Sequence, residues 1–415
     1  MLAKRTRINL ICVVVIITVF SQITTIDRFS RPAMYASWVF LLAVGLIANH
    51  FRIRLLTQSK HYILMIVCYV VYCIICSILG GEHLNSGYMR LLPIPLLIMI
   101  VADLFWQDYD EWSIRRIAII YTLSVLIFSI WIHYTFFASY SSWLSFRGGY
   151  LFSTKNSAAQ TISPAIYMIF FLIIPKENNN KNKLRFVWYL IVLYLLFILG
   201  LSQARTSLLG LTVSLTLYAF RYSKRRLQWI IALLAVGFIA MQFSVVRGFV
   251  QKVFNVQKYA DADLNTITSG RVAQYTKAAR AFFESPIIGH GKWYVDCSFL
   301  SILTESGIIG FLIVEPLWVS KIITNIRSPW YDRNHIGRNK RDFIVLLTAF
   351  YFVESCFEAY PPFGPGVTSF GFWFFCEMIM CYGMNNSKSI NGVWQGDKER
   401  NGQVIPRDTM IYADP

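Results

Sequence analysis

Long apolar segments recur along the whole chain, and they constrain its fold more than any other feature does. Each approaches the roughly 20 residues that an α-helix needs to cross the hydrocarbon core of a bilayer. The 415 residues therefore predict an all-α integral membrane protein with about twelve transmembrane helices and both termini on one side. The predicted spans are 8–26, 33–50, 61–79, 91–106, 117–138, 157–174, 186–202, 206–220, 228–243, 298–320, 342–360 and 367–382.

The charged residues support this interpretation and orient it. Only 15% of the residues are charged, against about 25% in a soluble domain. The formal charge of +17 would suggest nucleic-acid binding in a soluble protein, but basic residues of membrane proteins collect in cytoplasmic loops. The side that holds both termini carries 26 of the 39 Lys and Arg residues. Both termini are therefore predicted to be cytoplasmic, and nucleic acid is not expected as a partner.

The run 186–220 decides the sidedness of everything after it. If it crossed the membrane once, the basic residues would divide equally between the two sides and the bias would vanish. Two short spans are therefore predicted, with the turn 202–207 recessed into the outer edge of the bilayer. This assignment places Arg205 at that edge.

Four regions follow from the predicted spans. Residues 1–243 form a membrane domain of nine spans, with the first span retained because no small-residue cleavage site follows its apolar core. Residues 244–297 form a large extracytoplasmic loop with a short amphipathic helix at 271–284, which Ser269 would cap and Pro286 would end. Residues 298–382 contain the last three spans. The polar tail 383–415 is expected to be a disordered cytoplasmic end.

Arginines at the outer side are the first candidates for chemistry. Arg271 falls within the apolar stripe of the loop helix and needs an anionic partner, because burying an unpaired guanidinium is costly. Arg205 is recessed at the membrane edge, where a charge indicates a functional site or snorkelling toward the headgroups. Guanidinium groups suit a diphosphate, since their planar fork gives bidentate hydrogen bonds. Arg280 lies on the opposite face as a solvated residue, a loose partner of Glu284 or a secondary substrate contact.

The segment between the fifth and sixth spans supplies three further substrate-binding candidates. Arg147, Lys155 and Asn156 lie on the same side as the large loop. Lys155 abuts the sixth span and could face the site. Interfacial anchoring is the alternative for both cations.

Carboxylates supply candidates for proton transfer. Asp296 precedes the tenth span and is either a general base or a cap that complements the helix dipole. Glu305 lies about 12 Å further along that helix, where Arg271 or Arg205 could be its partner in substrate binding or in a structural ion pair. Glu354 and Glu358 share one helix face and could line an acceptor groove or a proton path. These carboxylates show no clustered metal-ligand pattern, so no metal or other cofactor is expected.

A family resemblance enters through the motifs around the loop helix. Gly270-Arg271, the run Phe283-x-Ser285-Pro286-x-x-Gly289-x-Gly291 and the helix start Glu305-x-Gly307-Ile308-x-Gly310 together resemble the O-antigen polymerase and ligase superfamily. The resemblance implies a metal-independent glycosyltransferase of the bacterial inner membrane that uses glycans on undecaprenyl diphosphate in the periplasm. It also implies that Arg205 and Arg271 engage the lipid diphosphate. A chain-length regulator and a flippase of the same pathway are the implied partners beside the bilayer.

Within that superfamily the residues before the tenth span favour the polymerase (Wzy type). Ligases carry His-Asn just before a Phe-Leu pair, whereas this chain has Asp296-Cys297 before Ser298-Phe299-Leu300. The expected reaction attaches a sugar hydroxyl to the anomeric carbon of another lipid-linked glycan with inversion, and Asp296 removes the proton. The alternatives are a ligase that transfers glycan to lipid A core, and a multi-span transporter suggested by Glu354, Glu358 and His133.

Overall fold

The computed structural model describes most of the membrane-embedded chain. It covers residues 3–23, 27–53, 55–79, 81–137, 155–174, 182–222, 270–327, 335–364 and 367–401, with a few isolated positions between 222 and 270. These residues form thirteen α-helices and no strand. The helices are α1 Lys4–Phe20, α2 Asp27–Ala48, α3 Thr57–Ile78, α4 Gly87–Leu91, α5 Pro93–Leu104, α6 Glu111–Phe136, α7 Lys155–Met168, α8 Asn182–Leu201, α9 Arg205–Tyr222, α10 Arg271–Glu284, α11 Ser298–Arg327, α12 His335–Phe357 and α13 Val367–Asn401. A π-helical turn, Ile169–Ile173, continues α7.

The all-helical class predicted from the apolar segments is confirmed. Among the described residues, six segments are long and apolar enough to cross a membrane, and Arg185–Leu201 is a shorter apolar helix. The six are Arg28–Ala48, Ser59–Ile78, Gly87–Leu104, Glu111–Phe136, Asn156–Ile173 and Ser298–Ser320. Eleven of the twelve predicted spans overlap described helices, and the ninth, 228–243, lies outside the described residues except at two isolated positions. The number of crossings and their orientation stay predictions.

Burial separates central helices from peripheral ones. In α7, 83% of the most apolar window is buried, whereas the value is 22% for α2 and 28% for α3. Residues 368–379 of α13 are buried without interruption. A helix that is buried on all sides lies in the centre of a bundle. Aromatic rings fill this centre, with Phe370 stacked on Phe374 at 5.1 Å between ring centroids.

Three ion pairs join the starts of α1, α6 and α12 at one end of the bundle. The predicted topology places all three starts on the cytoplasmic side. The shortest contacts are Arg7 to Asp108 at 2.6 Å, Lys4 to Asp110 at 2.7 Å and Lys340 to Glu111 at 2.5 Å. Asp110 also closes a capping box with Ser113 at the start of α6.

The backbone departs from straight, uninterrupted helices of the predicted length at three places. The run 186–220 forms two helices, α8 and α9, and Gln203 takes a positive φ of 52° in the turn between them. Gly307 (φ 60°, ψ −167°) breaks α11 after its first turns. The last helix continues to Asn401, well past the predicted end of the twelfth span at 382.

Candidate functional site

Two arginines from separate elements meet at one cavity. Arg205 is the first residue of α9 and Arg271 the first of α10, so each guanidinium lies where backbone N–H groups favour an anion. Both line a cavity of about 220 Å³. Its other lining residues are Thr206, Leu209, Val272, Tyr275 and Phe357. Two cations against a largely apolar wall suit a ligand with an anionic head and an apolar tail.

Glu358 is the anionic partner that the apolar face of α10 predicted for Arg271. Nη2 of Arg271 lies 3.1 Å from Oε1 of Glu358. Nδ2 of Asn156 donates to the same oxygen at 2.6 Å, so the first turn of α7 joins the pair. Phe357 lies beneath the guanidinium, with its ring centroid 5.9 Å from Cζ. Nε of Arg271 is buried and has no hydrogen-bond partner within the described part of the chain.

A second carboxylate lies one helical turn deeper. Glu354 is fully buried. Gln160 donates to Oε2 at 2.9 Å and Ser207 donates to Oε1 at 2.5 Å. This network ties α7 and α9 to α12 directly behind the cavity. Interhelical hydrogen bonds of this kind hold membrane helices in register.

Tyr275 connects α10 to the end of α12 and to the chain ahead of α11. Its hydroxyl lies 2.7 Å from the carbonyl oxygen of Asp296 and 3.0 Å from that of Cys356. Burial raises the pKa of Tyr275 to about 12, so the phenol remains a neutral donor at physiological pH. The buried face of α10 centres on Ala278 and Ala281.

Two details of the loop helix predicted from the sequence are wrong. The sequence predicts an apolar stripe of Val272, Tyr275, Ala278, Ala279, Phe282 and Phe283 on this helix. The side chains of Val272 and Phe283 are exposed instead, because α10 docks through its small alanines. The N-cap is Gly270, in the left-handed conformation at φ 86°, rather than Ser269. Glycine adopts this conformation without the steric cost that a Cβ would add.

Asp296 is half-buried, and its backbone carbonyl oxygen accepts a hydrogen bond from Tyr275, which lines the cavity. Its Oδ1 accepts a hydrogen bond from the hydroxyl of Tyr294 at 2.9 Å. Within the described residues, the contacts of the Asp296 carboxylate include no backbone N–H at the start of α11, so it does not cap that helix. Burial raises the pKa of the Cys297 thiol and keeps it protonated. The Asp296 carboxylate is thus left to face solvent and Tyr294.

Glu305 has other partners than the sequence suggested. It is fully buried. The backbone N–H of Gly87 donates to Oε2 at 3.0 Å, and the hydroxyl of Tyr360 donates to Oε1 at 3.2 Å. The expected pairing with Arg271 or Arg205 is therefore wrong. Glu305 does not line the cavity that the two arginines share.

The motif loop 285–291 docks on the break in α11. His290 N donates to the Thr304 carbonyl at 2.9 Å and Gly291 N donates to the Glu305 carbonyl at 2.8 Å. A Cβ on Gly289 would lie 2.6 Å from the backbone of Glu305, so the close approach requires glycine. The loop therefore supplies hydrogen bonds to backbone groups that the broken helix cannot pair internally.

Other predicted residues have different placements. Arg280 is exposed on the side of α10 away from its buried alanines. Arg147 and the side chain of Lys155 lie outside the described residues, although the backbone of Lys155 begins α7. His133 is 3.1 Å from the hydroxyl of Tyr194. Within the described ranges, no group of three or more His, Cys, Asp and Glu residues could hold a metal ion.

Gln160, Ser207 and Tyr275 contribute to the site but are not predicted as site residues from the sequence. One signal was present, because Asn156 and Gln160 repeat the four-residue spacing of Glu354 and Glu358 on another apolar helix. Polar side chains on facing membrane helices are expected to pair. The interaction of Tyr275 with two carbonyl groups left no sequence pattern.

Comparison with known proteins adds one finding. A family model described as O-antigen ligase matches residues 190–297. No match to a curated protein accompanies it. The matched segment contains Arg205, Arg271, Tyr275 and Asp296, and thus most of the site. This match supports the membership of the chain in the O-antigen polymerase and ligase superfamily.

Proposed function

We propose that this protein is a polysaccharide polymerase. It would join repeat units of O-antigen or capsular polysaccharide that are carried on undecaprenyl diphosphate at the periplasmic face of the bacterial inner membrane. The observation that carries the proposal is the convergence of Arg205 and Arg271 on one cavity with apolar walls. The match to an O-antigen ligase model supports the broader class of polymerase or ligase.

The two guanidinium groups would act on the leaving group. A hydroxyl of one lipid-linked unit attacks the anomeric carbon of another, a new glycosidic C–O bond forms, and the bond between that carbon and the phosphate oxygen breaks. Negative charge grows on the departing undecaprenyl diphosphate. Arg205 and Arg271 would stabilise it electrostatically, because preorganised donors act most strongly where charge develops in the transition state.

Asp296 is the base that the geometry favours. Asp296 is half-buried and its backbone carbonyl bonds to Tyr275, a residue that lines the cavity, so an acceptor sugar arriving from solvent would approach its carboxylate. Glu354 is fully buried and accepts hydrogen bonds from Gln160 and Ser207. Glu358 is held by Arg271 and Asn156. The acceptor proton would therefore pass to Asp296 as the new bond forms.

The apolar wall suits the first isoprene units of the carrier. Leu209 is 45% exposed and Val272 is 41% exposed, although both lie beside the arginines. Exposed aliphatic side chains next to a cationic cavity fit a lipid whose diphosphate is held and whose chain remains in the bilayer. A chain-length regulator and a flippase that delivers the lipid-linked units are the proposed protein partners.

Reconstitution with lipid-linked repeat units tests the proposal. Arg271→Ala should lower chain extension by about 10²- to 10³-fold, the effect of removing one electrostatic donor to a developing anion. Arg90→Ala is the matched control, since Arg90 is exposed, lies on the predicted outer side and does not line the cavity. A folded Arg271→Ala protein that extends chains at the native rate would remove the arginine from the mechanism.

The ligase is the second candidate, and the description of the matching family model favours it. The polymerase is preferred because Asp296-Cys297 stands where the ligase resemblance requires His-Asn. Polysaccharide gels of a deletion strain separate the two. Loss of a polymerase leaves single repeat units on the core or the carrier. Loss of a ligase leaves undecorated core while long polymer remains on the carrier.

A further inference from the structure

We infer that Glu358 is a positioning residue, which orients Arg271 for the lipid diphosphate and moderates the strength with which that arginine binds it. The inference rests on the proposed function. It assigns a role to a carboxylate that would otherwise be a feature of helix packing, and it predicts a change in ligand affinity that packing alone would not produce.

Two neighbouring side chains hold Arg271 in place, and one of them is itself held by a third. Oε1 of Glu358, at the end of α12, accepts hydrogen bonds from Arg271 and from Asn156 of α7. The Phe357 ring lies beneath the guanidinium. The side chains of Arg271 and Glu358 are only 21% and 16% exposed, so solvent screens their attraction less than on an open surface. The guanidinium orientation is therefore set before a ligand arrives.

Glu358 contacts only one nitrogen of the Arg271 guanidinium. The contact is made through Nη2, whereas the buried Nε has no hydrogen-bond partner within the described part of the chain. Arginine carries five N–H donors. Because Arg271 lines the cavity, a diphosphate oxygen can bind to the Nη donors that Glu358 leaves unused, although not to the buried Nε–H, so that ligand and carboxylate share one cation.

Sharing the cation has a kinetic consequence. An unopposed guanidinium in this half-buried position would bind undecaprenyl diphosphate more tightly, both as the reacting group of the donor and as the released product. Tight binding of the ground state does not raise turnover, and slow product release lowers it. Glu358 would thus weaken product binding while it preserves the geometry that the transition state needs.

Two substitutions of Glu358 distinguish the effect of its negative charge from the effect of its hydrogen-bond geometry. Glu358→Gln keeps an oxygen that can accept from Arg271 and Asn156 but removes the negative charge. Glu358→Asp keeps the charge. Glu82→Gln is the matched control, because Glu82 is an exposed carboxylate on the predicted outer side. Each full-length protein is purified, checked by thermal unfolding and titrated with undecaprenyl diphosphate, and its chain extension is measured.

We expect Glu358→Gln to bind undecaprenyl diphosphate about tenfold more tightly, with kcat and KM both lowered. Single-turnover bond formation should stay near the native rate. Glu358→Asp should return the affinity toward the native value, and Glu82→Gln should match the native protein. Unchanged or weaker binding by folded Glu358→Gln would overturn the inference, and so would tighter binding by Glu358→Asp.

Failure of the proposed function gives a different result. If the native protein neither binds undecaprenyl diphosphate nor extends lipid-linked glycans, both proposals fall. If the native protein does both, and Arg271→Ala weakens both, but Glu358→Gln behaves as the native protein, only the role of Glu358 falls.

Discussion

At the scale of residues, the cost of charge in an apolar setting identified two arginines as candidates for chemistry. Arg205 and Arg271 stand out because the sequence around each is apolar, and in the structure they line one cavity. Their counter-charge could not be identified in the same way. Glu358 lies 87 residues from Arg271, and only packing of α10 against α12 brings the two together.

Tyr275 provides a test of how α10 is held. Tyr275→Phe removes a donor shared by the carbonyl groups of Asp296 and Cys356, and should lower the free energy of unfolding by about 1–2 kcal/mol. Thermal unfolding in detergent measures this loss. An unchanged melting temperature would show that the hydroxyl does not stabilise the docked helix.

The same pair of proteins tests the pKa of Tyr275. Burial raises this pKa from 10 in the unfolded chain to about 12 in the folded protein, so the phenol stabilises the fold fully below pH 10. This stability is lost as the pH rises from 10 through about 12. The native protein should therefore lose stability relative to Tyr275→Phe over that range, whereas the difference between them should be constant from pH 6 to 9.

At the scale of elements, the motif that carries the family resemblance forms a support for the site. The loop 285–291 hydrogen-bonds to the backbone around the break in α11, and Tyr72 donates to the carbonyl groups of Ile288 and Ser306. The glycines of the motif allow this close approach. The residues proposed for chemistry come instead from the ends of the neighbouring helices.

Substitutions at two glycines with positive φ distinguish the cost of backbone strain from the cost of a steric collision. Gly270→Ala should cost about 1–2 kcal/mol, because Gly270 is left-handed but a Cβ there would meet nothing within 4 Å. Gly289→Ala should cost about 3 kcal/mol or more, since it adds a collision with the backbone of Glu305. Equal melting temperatures for the two variants would mean that the loop moves to accept the new methyl group.

The positions of the helices were more predictable from the sequence than their breaks and ends were. Apolar length located most helices, and the distribution of basic residues separated α8 from α9 within the run 186–220. The apolar pattern did not predict the break at Gly307, because hydropathy carries no information about a change of backbone direction at one glycine with positive φ. Nor did composition predict that α13 continues to Asn401.

At the scale of the whole molecule, the structure brings together helix ends that the distribution of basic residues predicts to lie on the same side of the membrane. Asn156, Arg205, Arg271 and Glu358 form or adjoin one cavity, and each lies on the predicted outer side. The ion pairs of α1, α6 and α12 gather the opposite ends. A single reversed span would place some of these contacting ends on opposite sides of the bilayer.

Accessibility labelling tests this arrangement. In a Cys68→Ser background, which removes the exposed native thiol, Arg280→Cys should react with a membrane-impermeant maleimide in cells with a permeabilised outer membrane. Arg52→Cys, exposed on the predicted cytoplasmic side, should react only after lysis. If position 280 reacted only after lysis, the site would face the cytosol and the proposed function would fail.

The amino-acid sequence by itself determined the helical membrane class, most helix positions and the two arginines, because hydrocarbon length and the cost of buried charge act locally along the chain. Only the tertiary structure decided which groups meet. Glu358 is shared by Arg271 and Asn156, which come from two other helices. Glu354 is buried between Gln160 and Ser207, and the loop 285–291 docks on the break in α11. Each of these contacts joins distant segments of the chain. Such contacts depend on how the helices pack, which a one-dimensional pattern of polarity does not specify.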